Sequence, residues 1–188
     1  MTTPREEYMP GPANMARVHK EGEKWTLVVA KELRHSPEKV WQALTDPAQL
    51  REWAPFDAGG NLGVAGATVK LDTVGVPGQR ITETKVKSAD PYTSLEYSWG
   101  DFDMRWQLES LGGGTRLTLW INIPRPYIAM GAAGWQICFD VLEHLLDGTP
   151  IGRIAGPKTM MLAGWQRLNA EYSKQFGVEA PKWGNQKP

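Results

Sequence analysis

Between Gly134 and Gly148 the sequence reads GWQICFDVLEHLLDG, with Trp135, Cys138, Phe139, Val141, Leu142, Leu145 and Leu146 recurring at steps of three and four. Gln136, Asp140, Glu143 and Asp147 take the other side. That period predicts an amphipathic helix with a broad apolar stripe. Gly148 is free to adopt the positive φ of a helix C-cap. A stripe this bulky must cover a large apolar surface. The surface is predicted to be a sheet, because nearly everything from Ala67 to Ile123 reads as strand.

The strands are read from period-two alternation. Ala67 to Val74 carries Val69 and Leu71, and Gln79 to Ser88 carries Ile81, Thr82, Thr84 and Val86. Ser94 to Trp99 places Leu95, Tyr97 and Trp99 on one face. Phe102 to Leu108 sets Phe102, Met104, Trp106 and Leu108 against polar partners, and Arg116 to Ile123 repeats the pattern with Leu117, Leu119, Ile121 and Ile123. The short links Val76-Pro77-Gly78, Ala89-Asp90-Pro91, Gly100-Asp101 and Gly112-Gly113-Gly114 imply an antiparallel meander with one face buried.

Upstream, Trp25 to Arg34 is a further strand. Ser36-Pro37-Glu38 then starts a helix running to about Thr45, and Asp46-Pro47, with Gln49 three residues after the cap, starts a second short one. Residues 55 to 66 are a glycine-rich loop or a short irregular edge strand. Downstream, Pro157 opens another helix with Met161, Trp165, Leu168 and Tyr172 on one face and Gly177 as its cap. Residues 1–23 read as a loosely ordered tail, 24–148 as the domain and 149–188 as a helical extension that frays from Glu179 onward. A sheet with one apolar face needs a cover, and the long helix is the element apolar enough to provide it.

Composition narrows the function classes. Lys plus Arg and Asp plus Glu balance at 21 each, so nothing suggests a nucleic-acid binder. No apolar block approaches membrane-spanning length and no signal-type apolar core opens the chain, so a cytoplasmic protein is the expectation. The single cysteine, Cys138, excludes an intrachain disulfide and lies on the apolar stripe, where it reads as a buried small hydrophobe. His19, His35 and His144 lack the spacing of a zinc set, so neither a metal nor a cofactor is expected. Gly-x-Ser-x-Gly is missing, and the triple glycine lacks the following Lys-Ser/Thr of a phosphate loop, so no catalytic residue is assigned.

The element order, the runs VAKELRHSPEKVWQALTDPAQLREW and SLEYSW, the turn-strand GGGTRLTL and the late GWQICFDVLEHLLDG together resemble the START-related ligand-binding (SRPBCC) superfamily. The resemblance is closest to the branch named for the C-terminal domain of the activator of the heat-shock protein 90 ATPase, and it covers roughly Lys24 to Gly148. It implies an α+β helix-grip fold, in which a curved antiparallel sheet wraps a long C-terminal helix and encloses a cavity. Members include carriers of apolar ligands, polyketide cyclases and co-chaperones, so the fold alone does not fix function. The segment from Thr149 to Gly177 lies beyond the common domain and resembles an extension in some bacterial members.

A site is therefore predicted from shape. Leu71, Tyr97, Trp99, Met104, Trp106 and Leu119 from the sheet should face Trp135, Phe139 and Leu142 of the helix, with Trp53 and Phe56 forming a rim. Glu83 is either an inward cavity acid or a solvated edge residue. Tyr97 and Arg105 are further candidate polar handles. The first functional reading is non-enzymatic binding of a small apolar molecule. The alternatives are a protein-interaction or co-chaperone-like module using the outer face around Trp120, and a cyclase- or hydrolase-type enzyme using inward Glu83, Asp72 or Arg105. The partners implied are a small apolar ligand and, under the second reading, a protein; the chain is a monomer or a homodimer, without nucleic acid or membrane.

Overall fold

The computed structural model describes residues 1–179 except Pro77 and Gln79. The expected fraying at the C-terminus lies largely outside the described residues, as do part of the Val76-Pro77-Gly78 turn and the first residue of the Gln79 strand. In order, the elements are α1 (Pro4–Glu7), β1 (Ala16–Glu21), β2 (Lys24–Leu33), α2 (Pro37–Thr45), α3 (Pro47–Leu50), β3 (Phe56–Ala58), β4 (Thr68–Thr73), β5 (Ile81–Lys85), β6 (Ser88–Asp90), β7 (Ser94–Trp99), β8 (Phe102–Leu111), β9 (Gly114–Asn122), α4 (Ile128–Leu146) and α5 (Ala163–Phe176). One 3-10 turn, Arg125–Tyr127, precedes α4 and another, Pro157–Met161, precedes α5.

The single meander is corrected to two antiparallel ladders, β1-β2-β9-β8-β7-β6 and β3-β4-β5. The chain changes ladder between two adjacent residues. Val86 exchanges backbone bonds with the two residues just before β4, its N–H donating to Ala67 O and its carbonyl accepting from Gly66 N. The Lys87 N–H then donates to Glu96 O on β7. A strand that turns its hydrogen-bonding edge from one neighbour to another makes a corner. The corner carries the chain from the small ladder into the large one.

Residues 16–21, expected in a loose tail, are instead the edge strand β1, paired with β2 from Ala16↔Val29 to Glu21↔Lys24. Gly22, at φ 61°, makes the turn between them possible. Its polar run Arg17, His19, Lys20 and Glu21 hid this strand, because an edge strand presents such residues to water. The chain before it is also tied down. Gln136 Nε2 donates to Pro12 O at 3.1 Å, and Met15 N donates to the Tyr172 hydroxyl at 3.1 Å. Arg167 holds the carbonyls of Pro10 and Gly11.

Local signals place α2 and α3. The Ser36 hydroxyl accepts from Lys39 N, and the Asp46 carboxylate caps α3 by accepting from Ala48 N rather than by pairing with Gln49. Helix α4 begins at Ile128, a turn and a half earlier than the expected Gly134, because Ile128, Ala129, Ala132 and Ala133 continue the buried stripe. At its other end Lys39 Nζ donates to Leu146 O at 2.6 Å, and His35 meets Asp147 at 2.6 Å. A cation there complements the helix dipole. The helix expected from Pro157 is corrected to a 3-10 turn followed by α5, since Leu162 is extended and breaks the spiral. Met161 is consequently exposed, while Trp165, Leu168 and Tyr172 are buried against the body.

Candidate functional site: an apolar cavity under the C-terminal extension

Trp106 of β8 is the centre of the core. Its ring stacks on Phe139 at 6.0 Å and 24°, and stands edgewise to Trp53 at 6.0 Å and to Trp135 at 5.7 Å. Its indole N–H donates to the Tyr97 hydroxyl at 3.3 Å. The Trp53 indole N–H donates to Ala43 O at 2.9 Å. The indole N–H groups of Trp106 and Trp53 are thus both paired, as buried Trp requires. This cluster fills the middle of the grip.

Space remains toward the N-terminal half of α4. A cavity of about 330 Å³ lies there, at the small end of the range for ligand pockets. Trp99 and Phe102 from the β7–β8 hairpin and Ile121 and Ile123 from the end of β9 form one wall. Met130, Gly131, Gly134, Trp135 and Cys138 of α4 form the floor. The third side is the extension, through Ile154, Ala155, Gly156, Thr159, Met160 and Trp165. Pro55 and Tyr127 complete the lining.

Two glycines shape the floor. A β-carbon on Gly131 would come within 2.5 Å of the Ile123 terminal methyl, whereas one on Gly134 would meet nothing within 4 Å. Gly131 therefore permits close approach of helix and strand, and Gly134 leaves volume unfilled. The extension is seated by a backbone contact: a β-carbon on Gly156, at φ 86°, would lie 2.9 Å from Val74 O. Arg153 fastens the segment further, bonding Asp57 at 2.5 Å and Leu50 O at 3.3 Å.

Of the twelve residues expected to line the pocket, Trp99 and Trp135 do so. Trp53, Phe56, Leu71, Tyr97, Met104, Trp106, Leu119, Phe139 and Leu142 are buried in the core and lie outside the cavity lining. They pack against one another in the hydrophobic core. Glu83 is exposed: on β5 the inward set is Thr82, Thr84 and Val86, which puts Glu83 on the outer side. Arg105 is also outside, its guanidinium 4.2 Å from the Trp120 ring centroid. Trp120 is thereby half-covered rather than presented bare. Lining residues missed in the sequence include Pro55, Tyr127 just before α4, Met130 and Gly131 of α4, and Ile154, Thr159 and Met160 of the extension. Trp165 was legible as apolar, but its neighbour across the fold was not.

The chemistry of the cavity is plain. Among the described residues no Asp, Glu, His, Lys or Arg lines it, and no cluster of His, Cys, Asp and Glu could hold a metal ion. Burial pushes the Cys138 thiol up to about 12, so it is a neutral thiol rather than a thiolate nucleophile near neutrality. Burial likewise raises the Tyr97 phenol, away from the cavity. Below the helix, Lys31 sits between Asp140 (3.0 Å) and Glu143 (2.7 Å). Burial opposes its charge, but the hydrogen bonds with Glu143 and Asp140 outweigh this and raise its pKa.

Residues 34–147 match the model of the family described as Activator of Hsp90 ATPase homolog 1-like protein. The chain belongs to this family. Solved structures similar to it share the fold. The conserved protein of unknown function EF2215 from Enterococcus faecalis aligns with a TM-score of 0.65 at 17% identity, over 87% of this chain and 92% of that one. CalU16 from Micromonospora echinospora aligns with a TM-score of 0.61 at 19% identity, over 85% and 93%. MLL2253 from Mesorhizobium loti reaches a TM-score of 0.56 at 25% identity, over 66% and 98%. A comparison with curated proteins returns no match. The fold of the Activator of Hsp90 ATPase homolog 1-like family is that of a ligand-binding or regulatory module. Among the described residues no helix is long and apolar enough to cross a membrane. The family match ends at residue 147, so the extension wall of the cavity lies outside it.

Proposed function

We propose that the protein binds a small apolar molecule, without catalysing its conversion, in the cavity between the sheet end, α4 and the extension. The observation that carries this reading is the lining itself: about 330 Å³ bounded mainly by aromatic, aliphatic and thioether side chains, with the Thr159 and Tyr127 hydroxyls and the Cys138 thiol but no charged group among the described lining residues. The described lining residues offer no carboxylate, imidazole or amine to serve as a catalytic acid, base or nucleophile. The one thiol present is held protonated by burial.

Native mass spectrometry of the purified protein, followed by organic extraction, tests the proposal. A retained apolar molecule at one per chain is the expected result. A clean apo mass, together with no stabilisation by any member of a panel of uncharged apolar compounds, overturns it. In that case capture experiments aimed at the sheet's outer face around Arg105 and Trp120 become the next step.

A further inference from the structure

The cavity has two kinds of wall. Sheet and helix walls come from the family domain; the third comes from residues 154–165, beyond the family match. Trp99 and Trp135 make a corner, their rings at 87° with centroids 6.2 Å apart. A flat ring lying on one indole face turns its own edge toward the face of the other, an arrangement aromatic quadrupoles favour. Trp165 and Met160 of the extension also line the space, adding a further aromatic ring and a polarisable thioether. The Trp99 indole N–H is already engaged with the Thr73 hydroxyl at 3.0 Å. Thr159, buried at 7% exposure, brings the one aliphatic hydroxyl among the described lining residues. A charged ligand would lose its hydration with no countercharge on this lining.

We propose that residues 154–165 decide what the cavity accepts, and that the ligand is a compact, planar, uncharged aromatic molecule with one hydroxyl or carbonyl group hydrogen-bonded to Thr159. This rests on the binding function proposed above, and goes beyond it in naming the ligand class and the element that selects it. The family domain supplies an apolar corner; the extension supplies the polar point that discriminates.

The test uses the full chain, four probes and two variants, with binding followed by tryptophan fluorescence and titration calorimetry. The probes are 2-naphthol, 2-methylnaphthalene, 2-naphthoate and 1-decanol. The expected order places 2-naphthol first, with 2-naphthoate and 1-decanol weaker by about tenfold or more. Thr159→Val, a near-isosteric change, should erase the preference for 2-naphthol over 2-methylnaphthalene, read as the ratio of the two affinities measured on the same variant. Gly134→Leu should abolish binding of every probe with an unaltered circular dichroism spectrum, because its side chain enters the open volume. A preference for 2-naphthol that survives Thr159→Val overturns the role of the extension. Binding of 1-decanol or 2-naphthoate as tight as that of 2-naphthol overturns the ligand class and leaves the cavity reading standing. Failure of all four probes overturns this inference, while the binding function itself stands or falls on the native mass spectrum and the wider compound panel.

Discussion

The Trp99 ring stands at 87° to the Trp135 ring, centroids 6.2 Å apart, one from the β7 end and one from α4. The pair marks the boundary between core and cavity. Behind Trp135 lie Trp106 and Phe139, packed to completion. In front of it lies the open volume lined by the extension.

Phe139 and Trp135 should therefore respond differently to truncation. Phe139 is fully buried and stacked on Trp106, and Phe139→Ala should cost about 3–5 kcal/mol, the range for large-to-small core changes. Trp135→Ala should also destabilise, but its lost volume joins the existing cavity and widens ligand acceptance. Urea denaturation of both variants checks this. A loss below about 1 kcal/mol for Phe139→Ala would contradict the packing of helix on sheet.

The two floor glycines make a matched pair. Gly134→Ala should stabilise the protein by up to about 1 kcal/mol, since alanine favours the helix and its methyl meets open space. Gly131→Ala gains the same propensity but drives a methyl into Ile123 at 2.5 Å. It should be the less stable of the two variants in thermal denaturation.

The N-terminal segment should prove integral to stability. The Tyr8 hydroxyl donates to Asp140, which also receives Lys31 at 3.0 Å. Tyr8→Phe should cost about 1 kcal/mol, the net worth of one hydrogen bond. Asp140→Ala should cost more, because it removes the partner of Tyr8 and one of the two carboxylates that hold Lys31. A double-mutant cycle on Tyr8 and Asp140 reads the coupling.

Alkaline pH should weaken the fold. In the folded chain burial holds the Cys138 thiol proton up to about 12, from an ordinary value of 9.0. The unfolded chain thus binds fewer protons between these values, so stability is full below about 9 and falls as pH rises toward 12. Each such group contributes up to about 1.4 kcal/mol per pH unit in that window. Cys138→Ala should flatten the decline measured by urea denaturation at pH 8 and 10.5, leaving a residual slope from the buried tyrosines, whose pKa values burial also raises.

The sequence by itself determined the elements whose signals are local. The three- and four-residue recurrence from Trp135 to Leu146 specifies α4, Ser36-Pro37 and Asp46-Pro47 specify the starts of α2 and α3, and the alternation from Phe102 to Leu108 and from Leu117 to Ile123 specifies β8 and β9. These features depend on residues near one another in the chain. It also determined which side chains are apolar and inward, and nearly all the predicted lining residues are indeed buried. Only the tertiary structure decided how that buried volume divides into packed core and empty cavity. Trp106 meets Trp53, Trp135 and Phe139 from three separate elements, and their combined volume closes the centre of the grip. The cavity opens instead where Gly134 lacks a side chain and where Ile154 to Trp165 return across the fold. Whether apolar groups fill space or leave it depends on distances between remote segments. Periodicity reports which way a side chain points; it carries no record of what stands opposite.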